Sequence, residues 1–152
     1  MKLMDFIVKD AILVNLQGTE KKEVLNEMVE ALVKSKKVAN KDKVVKILLD
    51  REELGSTGIG SGVAIPHGKT NDLDNVIISF GSSKQGIEFE SLDGEPVYLV
   101  FMLLAPVDST GIHLKALAKI SRILKDKHFR QSLRDAKTVD EAVKILKEED
   151  EY

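Results

Sequence analysis

The stretch "VYLVFMLL", residues 97–104, contains eight successive apolar or aromatic residues and no charge. A β-strand alternates its side chains between two faces, so a run without polar interruption is buried on both faces. We therefore predict a central strand here, covered by other elements on each side. A second strand is predicted at "VIISF", residues 76–80, and a weaker edge strand at "GIEFE", residues 86–90.

Helical periodicity surrounds these strands along the chain. In residues 19–35, apolar side chains recur on one helical face, with Thr19 as the predicted N-cap. A second helix is predicted after the cap Asn40 and ends near Leu54, while "AILVNL", residues 11–16, is β-prone. Three further helical patterns fill the last third of the chain, at residues 109–125, 127–136 and 138–148, the last with a capping box of Thr138 and Glu141.

The order of these elements and the composition together indicate one α/β domain, residues 1–152. Helices before, between and after strands predict a mixed sheet with helices on both faces. With 43% hydrophobic and 32% charged residues, the composition is that of a folded protein. The 23 basic side chains are interleaved with 25 acidic ones, which disfavours nucleic acid as a partner. Because the chain has no cysteine and no apolar run of about 20 residues, we expect no disulfide and no membrane insertion, and predict a cytoplasmic protein.

A glycine-rich segment, "GSTGIGSGVAIPHGKT" at residues 55–70, holds five of the chain's ten glycines. Its "GKT" ending imitates a nucleotide-binding Walker A loop, but Val63 stands where that motif requires its first glycine. Its "TGIGSG" portion imitates a dinucleotide fingerprint, but a helix is predicted before it, where that fold has a strand. Two interpretations remain: a loop whose glycines only turn the chain, and a loop that surrounds a phosphate-accepting histidine.

His67 is the candidate phosphate acceptor of this segment. Pro66 keeps Ile65 extended, so His67 is expected at the end of a short strand over residues 63–65. A neutral imidazole is a competent nucleophile toward phosphorus near pH 7, and its other nitrogen is free to be held by a hydrogen bond. Arg51, sixteen residues earlier, is suited to grip two phosphoryl oxygens, although an ion pair with a neighbouring carboxylate is an equal alternative.

A second histidine, His113, is predicted in the first turn of a helix that Ser109 or Thr110 caps. The free N–H groups at that end of a helix stabilise an anion. A metal site is a different interpretation of the two histidines, with Asp108 or Asp72 as a third ligand. The sequence lacks a tight ligand spacing such as H-x-x-x-H, which disfavours the metal.

Three parts of the chain together resemble a known family. They are Arg51-Glu52, "STGIGSGVAIPHGKT" at residues 56–70 and "GIHLKALAKISRIL" at residues 111–124. In this combination the chain resembles, nearly end to end, the enzyme IIA domains of the fructose/mannitol class of the bacterial sugar phosphotransferase system (PTS), including their nitrogen-related branch. The resemblance implies a mixed sheet of roughly five strands flanked by helices, in a phosphotransferase component that uses no cofactor and no metal.

By that resemblance, His67 is the phosphorylated residue, a tele-phosphohistidine formed from the phosphohistidine of the carrier HPr. His113 supports the His67 ring or the phosphoryl group, and Arg51 compensates phosphoryl charge. Enzyme IIB, on a separate chain, then accepts the phosphoryl group for the uptake of fructose, mannitol or a related sugar. The alternative is a nitrogen-related regulatory enzyme IIA, whose phosphorylation state controls partner proteins instead of sugar uptake.

The resemblance also implies a role for the glycine-rich segment and its apolar neighbours. We expect a low, exposed rim whose N–H groups help to hold phosphoryl oxygens; it comprises Thr57, Gly58, Gly60, Gly62 and Gly68. Two apolar side chains, Ile59 and Ile112, are expected to dock HPr beside the histidines.

Overall fold

The computed structural model of this chain describes residues 1–151; Tyr152, the last residue of the predicted domain, lies outside them. Within residues 1–151 the chain forms five α-helices: α1 (Lys21–Lys34), α2 (Lys41–Glu53), α3 (Thr110–Ile123), α4 (Lys127–Asp135) and α5 (Val139–Asp150). The strands are β1 (Gly58–Gly60), β2 (Val63–Ala64), β3 (His67–Lys69), β4 (Ile77–Ile87) and β5 (Val97–Ala105). Two short 3₁₀ helices, Leu3–Asp5 and Lys9–Ala11, precede α1. None of the helices within the described residues is long and apolar enough to cross a membrane.

β5 lies in the middle of the sheet, as its apolar sequence predicts. On one side β4 pairs with it antiparallel, with Ile78 opposite Leu103. On the other side β2 and β3 both run parallel to β5, with Val63 opposite Leu99 and His67 opposite Leu103. β1 completes the sheet as the antiparallel partner of β2. The predicted mixed sheet of five strands is confirmed.

Helices cover both faces of this sheet. Side chains of β5 alternate between two apolar clusters: Phe101 belongs to the cluster shared with α3, α4 and α5, and Met102 to the cluster shared with α1 and α2. Both side chains are fully buried. Burial of a side chain of this size stabilises a fold by about 1.5–3 kcal/mol, so an unbroken apolar strand is favourable only with cover on both sides. The predicted layered α/β architecture is confirmed.

Two of the short strands predicted from the sequence are not formed as separate strands. Residues 11–16 begin inside a 3₁₀ helix, which is why they reach the sheet at only a single bridge, between Leu13 and Gly81. Residues 86–90 form no strand of their own either, because Gly86 and Ile87 are the last residues of β4. β4 continues past an irregularity in its pairing to Ile87, which lies opposite the start of β5.

Two predicted helix caps are confirmed by their hydrogen bonds. The side chain of Asn40 accepts from the Lys43 N–H (3.2 Å) at the start of α2. The Thr138 hydroxyl accepts from the Glu141 N–H (3.1 Å) at the start of α5. The Glu141 carboxylate, however, accepts from the N–H of Lys137 (2.9 Å), one residue before the cap, so the capping box is shifted by one position.

The N-cap predicted for α1 is wrong. Glu20 occupies the cap position and makes no side-chain capping bond, while the Thr19 hydroxyl donates to the carboxylate of Glu23 (3.3 Å). The backbone N–H of Lys21 donates instead to the Glu88 carbonyl (3.1 Å), so tertiary contact with the end of β4 defines the start of this helix.

Candidate functional site

His67 begins β3 and lies half-buried on the face of the sheet that α3 covers. Its partner in the parallel register, Leu103, belongs to the apolar cluster of that face, and paired residues of neighbouring strands share a face. The His67 Nδ1 lies 2.8 Å from the carbonyl oxygen of Ile65. A carbonyl only accepts hydrogen bonds, so Nδ1 carries the proton and the lone pair is on Nε2. The ring is thereby held in one tautomer and one orientation.

His113 lies in the first turn of α3, next to His67. The two ring centroids are 5.6 Å apart and the ring planes are at 74°, an edge-to-face arrangement. His113 is only 4% exposed. Burial lowers the pKa of His113 below its ordinary value, and the charges of His67 and Lys69 lower this pKa further. Its Nδ1 is buried without a hydrogen-bond partner among the described residues. His113 is therefore a neutral imidazole at physiological pH.

The N-terminus of α3 has no side-chain cap, contrary to the prediction for Ser109 or Thr110. Ser109 stands at the cap position, but its hydroxyl donates to the carbonyl of Pro106 (2.7 Å). The Thr110 hydroxyl accepts from Lys69 Nζ (2.9 Å). α3 therefore begins beside His67, and the backbone N–H groups of its first turn have no side-chain cap. Such a helix start is the usual setting of an anion site.

Lys69 is a charged neighbour of the two histidines that the sequence analysis missed, because "GKT" was considered only as part of a nucleotide-binding motif. Side chains two residues apart on a strand share a face, so Lys69 projects on the same face as His67. Its bond to Thr110 joins β3 to the start of α3. The period of two that begins at His67 was the available signal for Lys69.

Arg51 lies near the end of α2, which covers the opposite face of the sheet. Its Nη1 donates to the carbonyl of Gly55 (2.9 Å), just beyond the end of its own helix. Within residues 1–151, no hydrogen bond joins Arg51 to either histidine of the site. The structure thus brings His67 and His113 together but holds Arg51 at Gly55, and its phosphoryl-binding role stays a prediction.

The glycine-rich segment folds as a hairpin of β1 and β2 instead of an open loop. Its turn has three successive residues of positive φ, Gly60 (101°), Ser61 (58°) and Gly62 (78°). The Ser61 N–H donates to the carboxylate of Asp93 (3.1 Å), and the Gly58 N–H donates to the Ser56 hydroxyl (3.0 Å). The N–H of Gly58 in the predicted rim and the N–H of its neighbour Ser61 are thus already bonded within the protein, and the phosphate-binding role of the rim stays a prediction.

Thr57 anchors the hairpin to α2. It is buried, and both its N–H (3.0 Å) and its hydroxyl donate to the carboxylate of Glu52. Glu52 is buried as well and forms an ion pair with Lys21 of α1 (3.3 Å). Because both donors of Thr57 are engaged, its predicted contact with phosphoryl oxygens would require breaking one of these bonds.

Gly68 lies on the face opposite the His67 ring. A Cβ atom placed there would lie 2.7 Å from Cγ2 of Ile47 on α2, closer than real contacts allow. This glycine lets α2 approach the sheet.

The predicted docking side chains Ile59 and Ile112 are exposed, by 48% and 45%.

The residues considered for a metal do not converge. Asp72 forms an ion pair with Lys43 (3.0 Å), and Asp108 is exposed in the loop between β5 and α3. Within residues 1–151 no three histidine, aspartate or glutamate side chains lie close enough together to hold a metal ion.

The fold and the sequence together define a phosphotransferase component of the PTS enzyme IIA type. Residues 5–149 match the family described as "Phosphoenolpyruvate-dependent sugar phosphotransferase system, EIIA 2", and the chain belongs to this family. PTS IIA domains are phosphotransferase components. The family assignment from Arg51-Glu52, the glycine-rich segment and the segment around His113 is confirmed.

Both branches of the family occur among the relatives. The chain is 39% identical over 150 residues to the "PTS system fructose-specific EIIABC component" of Bacillus subtilis, covering 99% of this chain but only 24% of that protein. It is 40% identical over 146 residues to a "Nitrogen regulatory protein" of Bradyrhizobium diazoefficiens, covering 96% of this chain and 95% of the relative. In fold it matches the nitrogen regulatory protein IIA-Ntr of Neisseria meningitidis with a TM-score of 0.86 and 32% identity, covering 93% of this chain and 97% of that chain.

Proposed function

We propose that this chain is a phosphocarrier: His67 accepts a phosphoryl group at Nε2 from the phosphohistidine of HPr and passes it to enzyme IIB. The observation that carries the proposal is the 2.8 Å hydrogen bond between His67 Nδ1 and the Ile65 carbonyl. This bond keeps the proton on Nδ1 and leaves the Nε2 lone pair available to attack phosphorus. The product is a tele-phosphohistidine.

The transfer step exchanges one P–N bond for another. The Nε2 lone pair forms the new bond to phosphorus, while the donor's P–N bond breaks and its electron pair returns to the donor imidazole. Nδ1 of His67 keeps its proton throughout and continues to donate it to the Ile65 carbonyl. Because one P–N bond replaces another, no oxidant or reductant takes part. Phosphoryl transfer of this kind depends mainly on alignment and on stabilisation of charge.

His113 contributes to both requirements. Its buried ring packs edge-to-face against His67 and limits the rotation of the nucleophile. The lowered pKa keeps His113 neutral before transfer. A neutral ring does not draw electron density away from the Nε2 lone pair of His67, which makes the attack on phosphorus. In this proposal the same imidazole donates a hydrogen bond to the phosphoryl dianion when it arrives.

The exposed apolar side chains around the site support docking of a protein donor. Ile59 projects from β1, and Ile112 from the first turn of α3. Val107 (57% exposed) and Leu114 (60% exposed) extend the apolar surface around the start of α3. A few exposed apolar side chains of this kind suit a partner that binds briefly and leaves after each transfer.

Mass spectrometry tests the proposal directly. After incubation with phosphoenolpyruvate, enzyme I and HPr, the wild-type chain should gain one acid-labile phosphate, which His67→Ala should not gain. His128→Ala is the matched control, because His128 is exposed on α4, outside the site, and should be phosphorylated normally. Phosphorylation of His67→Ala, or none of wild type by active upstream components, would disprove the carrier role of His67.

A regulatory enzyme IIA is the second candidate function. The observation in its favour is the match to the Bradyrhizobium nitrogen regulatory protein, which extends over nearly the whole length of both chains. The two candidates differ in what happens after phosphorylation. Rapid loss of phosphate from His67 to a fructose- or mannitol-specific IIB domain would support transport, whereas retention of the phosphate beside active IIB domains would support regulation.

A further inference from the structure

We propose that Glu52 is a positioning residue for phosphoryl transfer: through Thr57 it fixes the Ile65 carbonyl, which holds the proton of His67 on Nδ1. The inference rests on the proposed function and deepens it, because it assigns the orientation of the nucleophile to a buried carboxylate on another element. Glu52 acts through successive hydrogen bonds that lead from the end of α2 to the His67 ring.

The first contact joins Glu52, in the last turn of α2, to Thr57, directly before β1. The Glu52 carboxylate accepts from both the N–H (3.0 Å) and the hydroxyl of Thr57. Both residues are buried. Hydrogen bonds to an ionised acceptor are stronger than those between neutral groups. Thr57 therefore has a fixed position relative to α2.

Lys21 of α1 supplies the counter-charge that a buried carboxylate requires. Its ammonium group lies 3.3 Å from the Glu52 carboxylate and 5.2 Å from the centre of the Phe89 ring. Because Lys21 pairs with Glu52 without displacing Thr57, the carboxylate binds both partners at once. The position of Thr57 thus depends on an anchor shared by two helices.

The next two contacts lead from Thr57 to the nucleophile. The Thr57 carbonyl accepts from the Ile65 N–H (3.0 Å), and the Ile65 carbonyl lies 2.8 Å from His67 Nδ1. The peptide that contains this carbonyl has no N–H of its own, because its nitrogen belongs to Pro66. Thr57 holds the chain before this peptide, and the bond from the Leu103 N–H to the Pro66 carbonyl (2.9 Å) holds it afterwards. A shift of Thr57 would therefore turn the Ile65 carbonyl away from Nδ1.

The direction of the Ile65 carbonyl decides which nitrogen of His67 can react. The hydrogen bond that one ring nitrogen makes sets the tautomer, so a displaced carbonyl lets part of the population carry its proton on Nε2. A ring in that form has no Nε2 lone pair to attack phosphorus. Small losses of alignment also lower the rate of a transfer reaction steeply. Glu52 therefore increases the rate by keeping His67 in one tautomer and one orientation.

The first test is ¹H–¹⁵N NMR of the His67 ring in the unphosphorylated protein, at a pH where the ring is neutral. Wild type should show one tautomer, protonated on Nδ1. In Glu52→Gln the ¹⁵N shifts of the two ring nitrogens should move toward each other, because the two tautomers mix. Thr57→Val, which removes only the hydroxyl donor, should move them in the same direction and serves if Glu52→Gln does not fold. Thr57→Ser should match wild type, and wild-type shifts in Thr57→Val or in folded Glu52→Gln would overturn the proposal.

Asp150→Asn is the matched control for a loss of stability. Asp150 is also a buried carboxylate that pairs with a lysine, Lys119 (2.6 Å), and accepts from backbone N–H groups, but it lies at the end of α5. Asp150→Asn should lose stability and keep the wild-type tautomer of His67. An equal change of tautomer in Asp150→Asn and Glu52→Gln would show a general effect of destabilisation and would overturn the proposal.

Phosphorylation by HPr is the second test. At saturating phospho-HPr, kcat should fall about tenfold in Glu52→Gln and stay within about twofold of wild type in Asp150→Asn. An unchanged kcat in Glu52→Gln would overturn the positioning role. The tautomer is measured without HPr, so the two proposals fail separately. If HPr transfers nothing to wild type but the tautomer still depends on Glu52, the carrier proposal fails and the control of His67 by Glu52 stands.

Discussion

The rings of His67 and His113 lie edge-to-face, with centroids 5.6 Å apart, although they belong to a strand and a helix that are distant in sequence. The contact follows from the topology. β3 runs parallel to the second half of β5, so both strands end at the same edge of the sheet. α3 starts shortly after β5 and returns over that edge, which brings its first turn onto the His67 ring.

His113 should titrate below 6.5, the ordinary histidine value, because burial disfavours its charged form. The unfolded chain then binds more protons than the folded one as the pH falls below 6.5. The stability that depends on neutral His113 is fully present above that pH and is lost as the pH falls toward the lowered pKa. ¹H–¹⁵N NMR titration of the ring measures the pKa. His113→Gln should lose this part of the pH dependence, and a His113 pKa above 6.5 would contradict the buried neutral state.

Thr57→Val should lower the free energy of unfolding by about 1–3 kcal/mol, since it leaves the buried Glu52 carboxylate without its hydroxyl donor. Chemical denaturation measures the change. Thr19→Val is the matched control: Thr19 also donates to a glutamate, Glu23, but is exposed, and this change should stay within about 0.5 kcal/mol. Unchanged stability with slower phosphorylation in Thr57→Val would instead indicate direct contact between Thr57 and the phosphoryl group.

Two Gly→Ala substitutions should have opposite effects on stability. Gly68→Ala places a methyl group 2.7 Å from Ile47 Cγ2 and should destabilise the fold by about 1–3 kcal/mol. Gly111→Ala lies in a helix with open space around it and should stabilise the fold by about 0.5–1 kcal/mol. Thermal unfolding compares the two. Adding Ile47→Ala should make Gly68→Ala less costly, and simple additivity of the two losses would show that the methyl clash is not the cause.

Asp150→Asn should cost about 3 kcal/mol at neutral pH, because Lys119 would lose its buried partner (2.6 Å). Burial alone would raise the pKa of Asp150, but the bonds from Lys119, Met4 and Leu3 outweigh burial and lower it below 3.8. The stabilisation is therefore present above pH 3.8 and is lost as the pH falls through the lowered pKa, where the variant and wild type should converge. Denaturant melts at several pH values measure this convergence.

The control for that series is Glu148→Gln, which changes an exposed carboxylate on the same helix and should leave stability nearly unchanged. A constant gap between Asp150→Asn and wild type down to the most acidic pH would show that Asp150 acts by packing and not by charge.

Ile59→Ser and Ile112→Ser should each raise the KM for phospho-HPr about five- to tenfold, because each removes apolar area that the proposed docking would bury. The kcat should stay nearly constant, since neither side chain touches the histidines in the proposed mechanism. Steady-state phosphorylation assays separate the two constants, and melting curves check that both variants fold. A lowered kcat with an unchanged KM would place these side chains in the chemistry of transfer.

Features decided by a few neighbouring residues were predictable from the sequence. The eight apolar residues of β5 predict a strand covered on both faces, and the structure buries both faces. The caps Asn40 and Thr138 depend on bonds that span only three residues, and both form. His67 stood out because a proline precedes it and glycines surround it, which is also a local pattern.

Features that depend on which distant residues meet were decided only by the tertiary structure. Thr19 fails as a cap because the end of β4 takes over the start of α1. Arg51 bonds to Gly55, and Lys69 reaches Thr110, because strand register and helix packing select the partner of a long charged side chain. Sequence alone determined the five helices, the central strand, the family and the candidate nucleophile, since local periodicity and short motifs encode them. The neighbours of that residue were decided by the face of the sheet on which each side chain lies, which depends on pairing between strands far apart in the chain.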